Sequence, residues 1–326
     1  MSHNRVIITG GSGFIGTNLV SYFAEQGWEL LNFDISPPRN QDQMKYWREI
    51  DILNRDQLIK ETHLFQPSAF LHFGARTDLD EQHNLDGYKA NIDGVCNVID
   101  AIRHTSSIQR VIFASSQLVC RLGYIPKNDD DYLPSTLYGK SKVLTEKIIK
   151  AANDIGATWT IVRPTSLWGP WFDVPYKNFF TAIARNFYVH PGGVTTRKQW
   201  GFIGNSVFQI WKIIKSPEAE VHNKTFFLAD YSPIYLHEFA DKVQACIGSN
   251  PIRSVPASVL KAAARVGDVA LILGWKNPPL TSFRYHNIVT SEIQNLTPLE
   301  QIVGQMPFSV EQGIEITVNW LQDHRN

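Results

Sequence analysis

Short β-branched apolar runs alternating with amphipathic stretches predict an α/β chain: a doubly wound, parallel sheet covered on both faces by helices. Two further observations complete the expectation. The first apolar run, Val6-Ile7-Ile8, leads straight into a cluster of glycines, and beyond Pro164 the alternation gives way to proline-broken short elements. With 326 residues there is room for one large α/β unit and a smaller mixed C-terminal one.

The elements follow in order. Val6 to Ile8 suits a buried parallel strand. Phe14, Leu19, Val20 and Phe23 then recur at helical spacing up to Gly27, a stop signal. Leu30-Leu31-Asn32-Phe33 forms the second strand, closed by Asp34. Lys45 to Ile52 reads as the third, ending near Asp51. Leu58, Ile59, Leu64 and Phe65 give the next helical face. The fourth strand is Ala69 to Phe73, followed by a long helix over Tyr88 to Arg103. Arg110 to Ala114 is the fifth strand, Tyr138 to Asp154 a helix, and Trp159 to Arg163 the sixth strand. Pro170, Pro175, Pro191 and Gly192-Gly193 then break the chain into loops that suit the wall of a pocket. Phe202 to Ile214 and Thr225 to Leu228 read as a return to the main sheet. The expected division is 1–165, with about 201–228, for the sheet unit, and 166–200 with 229–326 for the smaller one.

In such sheets ligands bind beyond the carboxyl ends of the strands. Thr9-Gly10-Gly11-Ser12-Gly13-Phe14-Ile15-Gly16 stands there, between strand and helix. Glycines let the backbone approach a pyrophosphate, and the helix N-terminus offers unpaired N–H groups and the positive end of its dipole. Gly10, Gly13, Phe14, Ile15 and Gly16 are therefore the expected cradle of a dinucleotide. Asp34 lies roughly 20 residues on, the distance of a carboxylate that accepts both ribose hydroxyls. That favours NAD over NADP, whose 2′-phosphate would meet like charge, although Arg39 nearby softens the exclusion.

The second chemical signal is Tyr138-Gly139-Lys140-Ser141-Lys142. Tyrosine and lysine four apart share one helix face. Beside an oxidised nicotinamide, the lysine and cofactor charges would draw a phenol that titrates near 10 down toward pH 7, which takes about 4 kcal/mol of differential stabilisation. Gly139 costs about 1 kcal/mol in a helix relative to alanine; either its bare backbone lets the cofactor or a neighbouring helix come close, or it is incidental.

Composition narrows the classes. Hydrophobic residues are 43% and charged residues 19%, and the net charge is zero with no basic stripe, which argues for a folded core and against nucleic acid as the main partner. Three widely spaced cysteines imply free thiols in a reducing compartment, and no Cys/His cluster has metal-ligand spacing. The N-terminal apolar run is a strand rather than a signal peptide. Val266 to Trp275, the best membrane candidate, is too short to span and contains Asp268. The expectation is a soluble cytoplasmic protein with no membrane partner.

Together these segments resemble the extended short-chain dehydrogenase/reductases of the NAD-dependent epimerase/dehydratase type. The resemblance runs nearly the whole length, through TGGSGFIG (9–16), Asp34, HFGA (72–75), Asn91 to Gly94, FASS (113–116), YGKSK (138–142) and RPTSLWGP (163–170), with weaker matches at WGFIGNSV (200–207) and TFFLAD (225–230). It implies a Rossmann fold and a homodimer formed through the helices containing Asn91 to Arg103 and Tyr138 to Asp154. It implies Tyr138 as acid/base, Lys142 on the nicotinamide ribose, and Ser116, three before Val119, on the reacting oxygen. Asp51, Ile52, Phe73, Gly74, Ala75, Asn91, Ala114 and Pro164 join the cofactor site by the same resemblance. Thr77, Gln117, Ser166, Asn178 and Arg197 join Ser116 and Tyr138 on the substrate side. Val119-Cys120-Arg121 departs from the family's Val-Tyr-Gly, and Ser166 replaces its usual asparagine.

Relatives that eliminate water or decarboxylate carry acids after the catalytic Ser/Thr. Gln117 and Leu118 stand here instead, so epimerisation or alcohol/ketone oxidoreduction remains. The expected substrate is a nucleotide sugar, with Asn178 and Arg197 or Lys198 near its phosphates. A hydrophobic, steroid- or flavonoid-like alcohol is the alternative, favoured by Trp168, Trp171, Phe172, Phe187 and Tyr188 near the pocket loops. A non-catalytic dinucleotide sensor is the alternative of another class, disfavoured by the retained Tyr/Lys pair.

Overall fold

The computed structural model describes residues 4–324 apart from 80, 82, 153, 174, 175, 276 and 277, so the predicted break at Pro175 lies outside the described residues. Seven strands form one parallel sheet: β1 (Arg5–Thr9), β2 (Glu29–Asp34), β3 (Trp47–Glu49), β4 (Ala69–His72), β5 (Arg110–Ala114), β6 (Thr158–Pro164) and β11 (Lys224–Leu228). Their spatial order is β11-β6-β5-β4-β1-β2-β3. The order reverses between β1 and β4, which opens a crevice beyond their carboxyl ends.

The sheet is buried on both faces, and consecutive side chains of β1 show why. Val6 and Ile8 join one apolar cluster with Leu19, Val20 and Phe23 of α1 (Phe14–Glu25). Ile7 points the other way, into a cluster with Leu58 of α2 (Arg55–Phe65), Val95 and Val98 of α3 (Lys89–Arg103), and Ile149 of α4 (Leu137–Ala151).

Beyond β6 come β7 (Ser166–Trp168), α5 (Tyr176–Ala184), β8 (His190–Gly192), β9 (Arg197–Lys198) and β10 (Trp200–Phe202). Then α6 (Ile203–Lys215) packs beside α1, α7 (Glu218–Val221) follows, and β11 joins the sheet edge next to β6. The predicted return to the sheet is thus a helix on its face and a strand on its edge. The rest is β12 (Ile234–Tyr235), α8 (Leu236–Ile247), β13 (Ser254–Pro256), α9 (Ala257–Ile272), α10 (Ser282–Val289), α11 (Thr297–Val303) and α12 (Val310–Asp323). Three two-stranded sheets, β10-β7, β12-β9 and β13-β8, hold these segments together.

The main departure is the third strand. Lys45 and Tyr46 belong to a 3₁₀ turn over Gln41–Tyr46, and only Trp47–Glu49 pairs with β2. The Asn40 side chain accepts the Asp42 N–H at 3.1 Å and starts that turn. α4 also stops three residues before the predicted Asp154, and the chain reverses through Gly156 at φ +78°.

Candidate functional site

At the end of β1 the chain must turn at once into α1. Gly10 does so at φ +72°, and a Cβ there would stand 2.6 Å from the Gly74 nitrogen and the Phe73 carbonyl carbon. The loops leaving β1 and β4 therefore touch at the switch point, with Phe73 and Gly74 as the far wall and Ala75 following. A Cβ on Gly16 would lie 2.0 Å from the Gly10 oxygen, so α1 can seat against the loop only with glycine there. Gly13 differs: a Cβ would meet only the Gly10 oxygen, at 3.2 Å, and is otherwise open. No side chain caps α1, so the N–H groups of its first turn, beside Phe14 and Ile15, lack a side-chain acceptor.

Asp34 closes β2 beside this cradle. Its carboxylate accepts N–H bonds from Ser12 at 3.1 Å and Ser36 at 3.0 Å, and lone pairs remain for further donors. Burial raises its pKa, while the Ser36 and Ser12 bonds and Arg39 oppose that rise. Arg39 itself donates to the Trp171 carbonyl at 3.0 Å. A glycine cradle open on one side, at an uncapped helix N-terminus next to a carboxylate, fits a dinucleotide.

The remaining cofactor candidates are placed unevenly. Asp51 sits past β3, where its carboxylate accepts the Leu53 N–H at 2.9 Å. Ile52 is buried and abuts Gly94, whose Cβ would come within 2.7 Å of Ile52 Cδ1. Asn91 is fully engaged within the protein: it accepts the Arg76 N–H at 2.8 Å and donates to the Arg76 carbonyl and to Ser141 Oγ, both at 3.0 Å. It fixes the loop after β4 against α4. Pro164 ends β6 and Ala114 ends β5, both at the carboxyl end of the sheet.

Tyr138 and Ser116 converge at the carboxyl end of β5. Ser116 begins a 3₁₀ turn over Gln117–Val119, accepting the Leu118 N–H at 3.1 Å. α4 starts where Thr136 accepts the Gly139 N–H at 3.0 Å, a cap that sequence reading missed. A Cβ on Gly139 would lie 2.2 Å from the Leu118 carbonyl oxygen. The glycine thus lets α4 press onto the turn and brings Tyr138 to Ser116.

The electrostatics describe the chain without a cofactor's charge. Burial pushes the Tyr138 phenol up to about 12, with the Ser116 hydroxyl pulling it back and Tyr88 adding to the rise. The Lys142 ammonium donates to the Ala114 carbonyl at 2.8 Å. Burial draws Lys142 down to about 8, against the pull of Glu146. His72, bonded through Nδ1 to Thr9 Oγ1 at 2.8 Å, is held near 3 by burial and then by the Lys142 charge. The protein alone therefore disfavours the phenolate.

Ser115 takes no part in that pair. Its hydroxyl donates to Glu146 at 2.5 Å, and Glu146 accepts two more bonds from Arg163, at 2.8 and 2.7 Å, and one from Tyr132 at 2.9 Å. Glu146 and Arg163 are 0% and 1% exposed, so this is a buried, bidentate ion pair fixing α4 to β6. Glu146 falls eight residues after Tyr138, on the buried side of α4.

On the substrate side, Gln117 Nε2 lies 3.4 Å from Ser166 Oγ, and Tyr176 donates to the same oxygen at 2.7 Å. Gln117 is 8% exposed, and its Oε1 has no partner. If the amide is turned over, its nitrogen becomes the open atom, so one end stays unsatisfied either way. Burial pushes Tyr176 up to about 12. Lys198 and Glu292, both buried, pair at 3.7 Å. Thr77, Asn178 and Arg197 are exposed and are not hydrogen-bonded into this cluster; the Arg197 guanidinium lies 5.7 Å over the Tyr235 ring. Tyr176 was missed because its role depends on α5 folding back over Ser166.

The chain is similar to known proteins. The family described as "NAD dependent epimerase/dehydratase family" matches residues 6–229. A 3-beta-hydroxysteroid dehydrogenase of Mycolicibacterium neoaurum is 25% identical over 286 residues, 83% of this chain and 76% of that protein. An N-acetyl-alpha-D-glucosaminyl-diphospho-ditrans,octacis-undecaprenol 4-epimerase of Escherichia coli O157:H7 is 23% identical over 329 residues, 98% of this chain and 95% of its own. The crystal structure of a UDP-glucose 4-epimerase of Thermotoga maritima with UDP-glucose superposes with a TM-score of 0.75 at 18% identity, covering 98% of this chain and 99% of that one. At that identity the last likeness is one of fold.

Proposed function

Because the chain belongs to the NAD dependent epimerase/dehydratase family, we propose that it catalyses NAD-dependent hydride transfer at a hydroxyl-bearing carbon of a nucleotide sugar, as a 4-epimerase or a dehydrogenase. The observation that carries the reading is the convergence of Ser116 and Tyr138 beside the unsatisfied Gln117 amide. The Gly10 to Gly16 loop and Asp34 would hold the pyrophosphate and adenosine ribose, and Asp34 selects NAD over NADP. Bound NAD supplies the hydride acceptor and a positive charge that favours the phenolate.

The chain's own residues do the rest. Ser116 and Tyr138 orient the substrate hydroxyl, and Tyr138 removes its proton, a step worth typically 10²–10⁴-fold. Lys142 holds the ribose and offsets the burial that opposes the phenolate. Gln117 and Ser166 take a second substrate hydroxyl, which can donate or accept and so suits either orientation of the amide. Residues 1–165 with about 201–228 bind cofactor, and 166–200 with 229–326 bind substrate. A homodimer through α3 and α4 completes the proposal.

A lipophilic alcohol is the second reading. Similarity to the steroid dehydrogenase supports it, as does the separation of Asn178 and Arg197 from the polar cluster. A panel of UDP-, GDP- and dTDP-sugars, a polyprenyl-diphosphate sugar and a 3β-hydroxysteroid, scored for thermal stabilisation and product, separates the readings. Product from a sugar ligand supports the first. Product from the steroid alone overturns it.

A further inference from the structure

The smaller unit carries a helix that is inside out. Of the sixteen residues of α9, only Ala264 and Gly267 are buried. A Cβ on Gly267 would stand 1.8 Å from the Leu280 oxygen, and Asp268 accepts the Ser282 N–H at 2.9 Å. Small residues therefore press α9 against the start of α10, and the large apolar ones face outward. Val259, Val266, Val269 and Leu273 follow one stripe, between 54% and 81% exposed, with Ile272 at 84% and Trp275 at 57% beside its end. Scattered exposed apolar residues need no explanation, but a contiguous stripe does.

The charges around the stripe choose its partner. Lys261 and Arg265 are exposed along its flank, and Asp268, the one acid between 257 and 275, is bonded to Ser282. A second copy docking here would bring these cations together with Asp268, already bonded to Ser282, as the one acid of the helix to oppose them. Among the described residues no helix is long and apolar enough to cross a membrane. An apolar stripe flanked by cations and ended by a tryptophan matches a helix lying in a bilayer interface.

We propose that α9 and the following turn dock on an anionic bilayer surface. The surface also leads toward the substrate side. α10 runs into Thr290, whose Cγ2 would lie 2.9 Å from a Cβ on Gly123, and Ser291 and Glu292 line a small cavity with Gly123, Tyr124 and Ile125. The sequence expectation of no membrane partner considered only a spanning helix, and a helix lying flat needs no such length.

The test is co-sedimentation of the full chain with vesicles of phosphatidylcholine alone and of phosphatidylcholine with one-third phosphatidylglycerol. Binding should favour the anionic vesicles and weaken as salt rises. Lys261→Glu with Arg265→Glu should weaken it about tenfold or more, and Val266→Ser with Ile272→Ser and Leu273→Ser should abolish it, with NAD binding unchanged. If the triple variant fails to fold, the charge pair, which removes no apolar contact, still decides. Absence of vesicle binding by the unaltered chain overturns the proposal, as would a dimer that the triple variant dissociates.

Discussion

Replacing Gly139 by alanine should separate stability from turnover. A Cβ at that position would sit 2.2 Å from the Leu118 carbonyl oxygen, more than 1 Å short of ordinary contact, near 3.4 Å. The oxygen belongs to the backbone of the 3₁₀ turn that starts at Ser116, so no flexible side chain can give way. Either α4 lifts or the turn retreats, and each moves Tyr138 from Ser116. Alanine gains about 1 kcal/mol of helix propensity over glycine, and the crowding costs typically 1–3 kcal/mol. The net change in unfolding free energy is small, roughly 0–2 kcal/mol. A displacement near 1 Å at reacting groups costs on the order of 10²-fold in rate. Urea unfolding should therefore show a modest change at unaltered slope, while kcat on whichever substrate the panel identifies falls about a hundredfold and NAD affinity is kept. A variant within twofold of the parent in kcat would refute the reasoning that this glycine positions the tyrosine.

Other outcomes follow from the same geometry. Glu146→Met and Arg163→Met should each cost about 3–5 kcal/mol, because each leaves a buried charge unpaired; the double variant should cost well under the sum, and additivity within about 0.5 kcal/mol would show the pair to be uncoupled. Gly16→Ala should raise the Kd for NAD at least about tenfold, equal to roughly 1.4 kcal/mol, whereas Gly27→Ala, with nothing within 4 Å of its Cβ, should leave it unchanged; calorimetric titration distinguishes them. His72 is held near 3 in the fold against 6.5 when free, so the unfolded chain binds the extra proton. Its contribution is complete above pH 6.5 and is lost as pH falls toward 3, about 2 kcal/mol by pH 5. His72→Gln should flatten that acid limb of the urea-unfolding profile, and an unchanged limb would assign it to other groups.

Much of this molecule was legible in its sequence for a simple reason: buried parallel strands are apolar runs and the dinucleotide loop is glycine. Those signals are local. The third strand was over-extended because Lys45 and Tyr46 follow an Asn40 cap whose effect outweighs β propensity. The choice of Ser116 rather than Ser115 rested on spacing, and the bond from Ser115 to Glu146 supplies a physical ground for it. What stayed hidden is non-local. The Glu146–Arg163 pair joins residues on a helix and a strand, and Tyr176 meets Ser166 only when α5 folds over β7. The partner of Lys142 is non-local too: a helical i, i+4 spacing does not say that the ammonium donates to the Ala114 carbonyl of a neighbouring strand. The exposed stripe on α9 was read as a failed span because composition cannot show which side of a helix is covered.

In the proposed mechanism one phenol handles the proton at the carbon that yields hydride. Tyr138→Phe removes a single oxygen and retains the ring that packs against Tyr88. The decisive measurement is single-turnover absorbance of reduced nicotinamide by this variant and its parent, at saturating NAD and substrate, with NAD affinity determined on the same samples. NAD binding should be unchanged and the rate lower by orders of magnitude. Near-parental reduction by the variant would contradict that mechanism.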